Sequence, residues 1–227
     1  MLEWNNMATA NIHLYWTDQS KVNSADIDDA ENALEDALSQ IGRSSFFDIK
    51  RQGSLSGDWD GNSYDFYMDK FKNKINSQQG DCHMLLYHKD PVYGFSFSDS
   101  AMAGIAEDLL SSTSAPHAAV NVYLNYYDST VFQNFVRHEF LHQLIPSEKA
   151  PIDSNEHSIG TQYHEGGDLL GTESSPMLTG YTEDIRGGNE KPSQCCGQSE
   201  VYTADFHSPE ISACAKTVSN DTLDNYY

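Results

Sequence analysis

With 227 residues, the chain is long enough to bury one good-sized core, and no stretch approaches the eighteen or so consecutive apolar residues of a membrane span. It carries 34 Asp plus Glu against 13 Lys plus Arg, for a net charge of −21. Such a surface repels phosphate backbones and anionic lipid and so argues against nucleic acid and membrane as partners. Because the acids are scattered and the apolar patterning survives between them, the composition points to a folded protein of a high-salt environment, where screening relieves self-repulsion.

In chain order, the opening MLEWNNMATAN shows neither a basic nor an apolar leader region, so no export signal is visible there, a removed one being the alternative. NIHLYWTD (11–18) reads as a strand. A helix is expected next, with Ile27, Ala30, Leu34, Leu38 and Ile41 at helical spacing, Ser24 as N-cap and Gly42 as the stop. SFFDIKRQ (45–52) reads as a second strand and 63–77 as a second helix. CHMLLYHK (82–89) has the unbroken apolarity of a strand buried on both faces, whereas YGFSFSDSA (93–101) alternates like an edge strand. AAVNVYLNYY (118–127) is expected to be one more strand.

A helix capped by Asp128 or Ser129 follows, with Phe132, Val136, Phe140 and Leu144 as an apolar stripe and Pro146 as its end. Strands alternating with helices predict an α/β sandwich up to residue 145, and a loop-rich stretch beyond it closes with a helix from Ser208, with Pro209 in its first turn, to about Leu223. The expected organisation is a single domain over 1–227, with an N-terminal lobe (1–145) holding a twisted mixed sheet and a C-terminal lobe (146–227).

The four cysteines form no C-x-x-C pair. Neighbours rarely bridge each other, so Cys195 and Cys196 are expected to reach Cys214 and Cys82, in keeping with an oxidising compartment; four free thiols are the alternative. GDWDGNSYD (57–65) brings Asp58, Asp60, Asn62 and Asp65 close together, which is compatible with calcium but lacks the EF-hand glycine offset, so a polar turn is the simpler expectation.

The chemistry sits in VRHEFLHQLIPSEK (136–149), which contains H-E-x-x-H. His138 and His142, four apart, project from one side of a helix and can reach one zinc ion. Glu139 is rotated about 100° from His138, out of the ligand pair yet beside water at the metal, where it is placed to act as a base. The remaining His13, His83, His88, His117 and His207 have no ligand spacing and read as structural.

This order of elements ending in an H-E-x-x-H helix resembles the metzincin zinc peptidases, and SSPMLTGY (174–181) looks like their Met-turn, with Met177 beneath the metal. Metzincins continue H-E-x-x-H-x-x-G-x-x-H, but here Ile145 and Glu148 occupy the glycine and third-histidine positions. A longer loop can substitute at little entropic cost. The resemblance implies His157, in EHS, as third ligand, with His164, in YHEGG, as the alternative. Tyr181 stands four residues after Met177, where the family's transition-state tyrosine stands two after, so it is a weaker candidate for that role. A gluzincin arrangement would instead recruit Glu165.

The function expected from these residues is a secreted, monomeric zinc endopeptidase that hydrolyses peptide bonds with water activated at the metal and Glu139 as general base. Its substrate would be a peptide or protein laid along an edge strand. The alternative from another class is a zinc-stabilised binding module without catalysis.

Overall fold

The fold comes from a computed structural model that describes residues 10–61, 64–75, 81–90, 104–106, 115–127, 129–146, 162–164, 172–174, 176–177 and 206–226. Four parallel strands and one antiparallel strand form the main sheet, in the order β2-β1-β3-β5-β4. These are β1 (Ala10–Thr17), β2 (Phe47–Leu55), β3 (Cys82–Tyr87), β4 (Gly104–Ala106) and β5 (His117–Asn121). The described residues include five helices: α1 (Ser24–Gln40), α2 (Tyr64–Lys74), α3 (Tyr123–Tyr127), α4 (Ser129–Leu144) and α5 (Ala213–Tyr226). A second, small sheet pairs β6 (Gln162–His164), β7 (Thr172–Ser174) and β8 (Phe206–His207). The expected α/β class with a mixed sheet is therefore present.

Side-chain alternation sorts the strands between two apolar layers. On one face Ile12, Leu14, Met84, Leu86, Ala118 and Val120 pack against α1 and α4. On the other, Leu85, Tyr87 and Ala119 pack beneath Tyr67, Met68 and Phe71 of α2 and beside Trp59. All six residues of β3 are buried, which is why CHMLLY carries no polar alternation.

The expected stripe of α1, from Ile27 to Ile41, is buried throughout. Its N-cap is Asn23, not Ser24. The Asn23 side chain accepts from the Ala25 amide (2.8 Å), and the Asp26 carboxylate accepts from the Asn23 amide (2.8 Å), a reciprocal arrangement that Ser24 as cap would forgo. At the other end Gly42, at φ +75°, closes the helix as expected, with the Arg43 amide donating back to the Leu38 carbonyl.

Two boundaries differ more. β5 ends at Asn121 and the chain turns into α3, so residues 118–127 are not one strand. The Asn121 side chain accepts from the amides of Lys89 (3.0 Å) and Tyr123 (3.1 Å) and donates to the Lys89 carbonyl (2.9 Å), turning the backbone out of the sheet. The last helix begins at Ala213, where Ser212 caps the Ala215 amide (3.0 Å), and Pro209 lies in the extended approach. That approach is tied to α1, since Gln40 donates to the Pro209 carbonyl (2.8 Å) and accepts from the Ile211 amide (2.7 Å). Further along α5, Asn220 donates to the Ile41 carbonyl (2.9 Å), and Arg43 reaches both Asn220 and Asp224.

Cys214 is disulfide-bonded, but Cys82 is a free thiol, fully buried in the central strand; the bridge expected for it is absent. Cys195 and Cys196 lie outside the described residues, as does the expected edge strand 93–101. The antiparallel edge strand that the structure does describe is β4.

Candidate metal centre

Helix α4 leaves the sheet after α3 and buries Phe132, Val136, Phe140 and Leu144 in the core. That stripe fixes the rotation of the helix about its axis. Arg137, 5% exposed, reinforces it, donating from Nε to Asp36 of α1 (3.0 Å) and from a terminal nitrogen to Asn134 (2.9 Å). Asn134 in turn donates to the Ser208 carbonyl (2.9 Å), joining α4 to the approach of α5.

With the helix held there, His138 and His142 turn their Nε2 atoms toward each other at 2.9 Å, the rings nearly perpendicular at 80°. His138 Nδ1 lies 2.8 Å from the carbonyl of Pro176. A carbonyl only accepts, so Nδ1 carries a proton, and the neutral form of the ring presents its lone pair at Nε2. Such an outer contact fixes tautomer and ring orientation in histidines that bind metals. Two imidazole nitrogens on a tetrahedral zinc, each at about 2.0–2.1 Å, stand about 3.3 Å apart. The donor pair therefore fits a zinc ion after opening by a few tenths of an ångström, and as it stands it matches a hydrogen bond donated by His142.

Glu139, 4% exposed, follows His138 on the helix. Burial pushes its carboxyl up to about 7, partly opposed by the nearby His142. Pro176 and Met177 are both buried, and Met177 belongs to the core cluster that contains the α4 stripe. Pro176, from the segment resembling a Met-turn, thus lies against the first histidine of H-E-x-x-H.

Of the other sequence candidates for this site, only His164 falls within the described residues. His157, Glu165 and Tyr181 lie outside the described residues. His164 is in β6, opposite Thr172. Among the described residues no three of His, Cys, Asp and Glu group as metal ligands. In the acidic turn, Asp58 accepts from the Asp60 amide (3.2 Å), Asp60 pairs with Lys89 (3.1 Å), and Asp65 is exposed on α2, while Asn62 lies outside the described residues.

Sequence reasoning missed the Pro176 carbonyl and the Arg137–Asp36 anchor. A backbone acceptor has no residue signature; Arg137, a buried cation beside a motif, was the one signal available.

No protein-family model matches the chain, and no curated protein matches it. Among solved structures it is similar to the crystal structure of metalloproteinase-II from Bacteroides fragilis, with a TM-score of 0.40 and 16% identity over 60% of this chain. The match spans 42% of that protein, less than half its length. A likeness this distant leaves the function to be argued from the residues.

Proposed function

We propose that the protein is a zinc-dependent endopeptidase of the metzincin kind. The observation that carries the reading is the convergence of the His138 and His142 Nε2 atoms, with the Pro176 carbonyl fixing the first ring and Glu139 on the same turn. His138 and His142 would hold the metal, with His157 as third ligand and His164 as its alternative. The proximity of Pro176 and Met177 to His138 supports this arrangement over a gluzincin one built on Glu165, in which the Met-turn segment would have no role.

Zinc, when bound there, makes water acidic and polarises a carbonyl. Glu139 takes the proton that water loses and returns it to the leaving nitrogen. The wall around Glu139 excludes bulk solvent, so the proton is kept for that transfer. Extended substrate would pair along the antiparallel edge of the sheet, where β4 stands. The disulfide at Cys214 suits an exported protein. A single domain, a monomeric state, and no nucleic acid or membrane partner complete the reading. Calcium in the acidic turn, where Asp60 pairs with Lys89, is a secondary part of it.

The test is cleavage of denatured casein, removed by a chelator and restored by zinc. Zinc binding without any cleavage would leave the non-catalytic module instead.

A further inference from the structure

We propose that His83 is a proton-operated latch between the main sheet and α2, which acid opens while α1 and α4 stay packed on the opposite face.

The parallel register places His13, His83 and His117 side by side on β1, β3 and β5. Their rings stack across the sheet, 4.8 Å and 12° between the first two, 5.4 Å and 22° between the second two. Tyr15 lies on the same face, 6.1 Å from the His83 ring, and Phe71 of α2 closes over the row edge-on to both Tyr15 (5.3 Å) and His117 (5.7 Å).

The row is supplied unequally. β2 carries one extra residue opposite Leu14 and Tyr15, and this bulge brings Gln52 to His13, where its amide donates to Nδ1 (2.7 Å). His13 Nε2 can then donate to Asp81 (2.8 Å), whose carboxylate also accepts from the Asn11 amide and side chain. Both nitrogens of His83, by contrast, are buried and have no hydrogen-bond partner among the described residues. The residue is 1% exposed. Leaving such groups unmet is unfavourable, and a buried charge there would be more so.

The groups facing the ring are few. β1 contributes His13 and the Tyr15 phenol, β5 contributes His117, the turn before β3 contributes Asp81, and α2 contributes the apolar Phe71. From the other face, Gln143 of α4 approaches the His83 carbonyl, not the ring. Among the described residues Asp81 is the one anion there, and it is already committed to His13 and Asn11. Burial first, and then the His13 and His117 rings, hold His83 down to about 3, with Asp81 acting weakly in the other direction.

A histidine released to solvent takes its proton near 6.5. Any opening that frees His83 therefore binds one extra proton between about pH 6.5 and 3, and its equilibrium constant grows tenfold per pH unit through that window. The element that opens is α2. It covers this face with a small aromatic cluster of Trp59, Tyr67, Met68 and Phe71, whereas α1 and α4 bury the larger cluster behind the sheet. Trp59 stacks on Tyr67, whose hydroxyl donates to the Trp59 carbonyl (3.0 Å), so the segment before α2 leaves with it.

The test is hydrogen exchange of the intact chain between pH 6.5 and 4.5, corrected for intrinsic rates, with iodide quenching of tryptophan as a second readout. Asp81 stays ionised throughout that range, so its own titration does not enter. The expected result is opening of α2 that grows about tenfold per pH unit while α4 stays protected, with one proton of that dependence lost in both His83→Phe and His83→Gln. The glutamine variant keeps a polar side chain that cannot titrate, should phenylalanine overfill the site. An undiminished slope in both variants overturns the latch, and so does exchange of α2 and α4 together in one cooperative step.

Discussion

In α4, His138 and His142 bring their Nε2 atoms to 2.9 Å of each other, and the far nitrogen of His138 is fixed by the Pro176 carbonyl. If the pair shares one zinc ion, His138→Ala and His142→Ala each lose more affinity than the about 10–100-fold that follows removal of an outer-shell partner. Competition against a chromogenic chelator measures this directly. Wild-type affinity in either variant means the two rings do not share an ion.

Glu139→Gln tests the base apart from the ligands. The amide is nearly isosteric and cannot take a proton, so zinc content is expected to stay at the wild-type level while casein cleavage falls by about 10²–10⁴-fold. A variant that still cleaves at the wild-type rate removes Glu139 from the chemistry.

Arg137 is almost fully buried, and its partner Asp36, which also accepts from Gln40, is 42% exposed at the side chain. Asp36→Ala leaves the guanidinium with Asn134 alone and is expected to cost about 1–3 kcal/mol in urea denaturation. Asp48→Ala on the exposed side of β2 serves as the control, within about 0.5 kcal/mol of wild type. Equal effects in the two variants would show that the α1–α4 anchor does not hold.

Asp81 gives a pH signature of its own. Burial alone raises its carboxyl, but hydrogen bonds from His13 and from the Asn11 amide and side chain outweigh this and hold it below the ordinary 3.8. The folded state therefore binds fewer protons than the unfolded one just below pH 3.8, and the stabilisation is present above that value and fades as pH falls through the folded-state pKa. The stability gap between wild type and Asp81→Asn is expected to be constant from pH 7 to 5 and to shrink below about 3.8. A gap that stays the same at pH 3 contradicts the assignment.

The net charge of −21 predicts a salt response. Raising NaCl from ~0.1 M to ~3 M shortens the screening length from about 10 Å to less than 3 Å and weakens the repulsion between scattered carboxylates. The melting temperature is expected to climb across that series. A flat or falling series removes the high-salt reading of the composition.

How far the fold could be read in advance depended on whether a boundary was set locally. The α1 stripe, the doubly buried β3 and the α4 stripe follow from periodicity alone, because each buries a face the pattern exposes to view. The end of β5 did not, because Val122 and Leu124 continue the apolar run and are buried as well; the break is marked by the hydrogen bonds of the Asn121 side chain to Lys89 and Tyr123. Choosing Asn23 over Ser24 required the reciprocal bond from Asp26, and both residues are good caps by type. Cys82 could not be paired or left unpaired from spacing, since what decides is its seat in the central strand. At the candidate metal centre, the helical pair is a short-range pattern and was legible, while the Pro176 carbonyl, 38 residues further on, was not.

The lacing of α5 onto the end of α1, through Gln40, Arg43 and Asn220, sets an order of events during synthesis. The earlier helix is finished by one made well over a hundred residues later, so a nascent chain on the ribosome exposes Ile41 and its neighbours until α5 has emerged. A chaperone that holds unfinished chains would have its natural grip on that uncovered end.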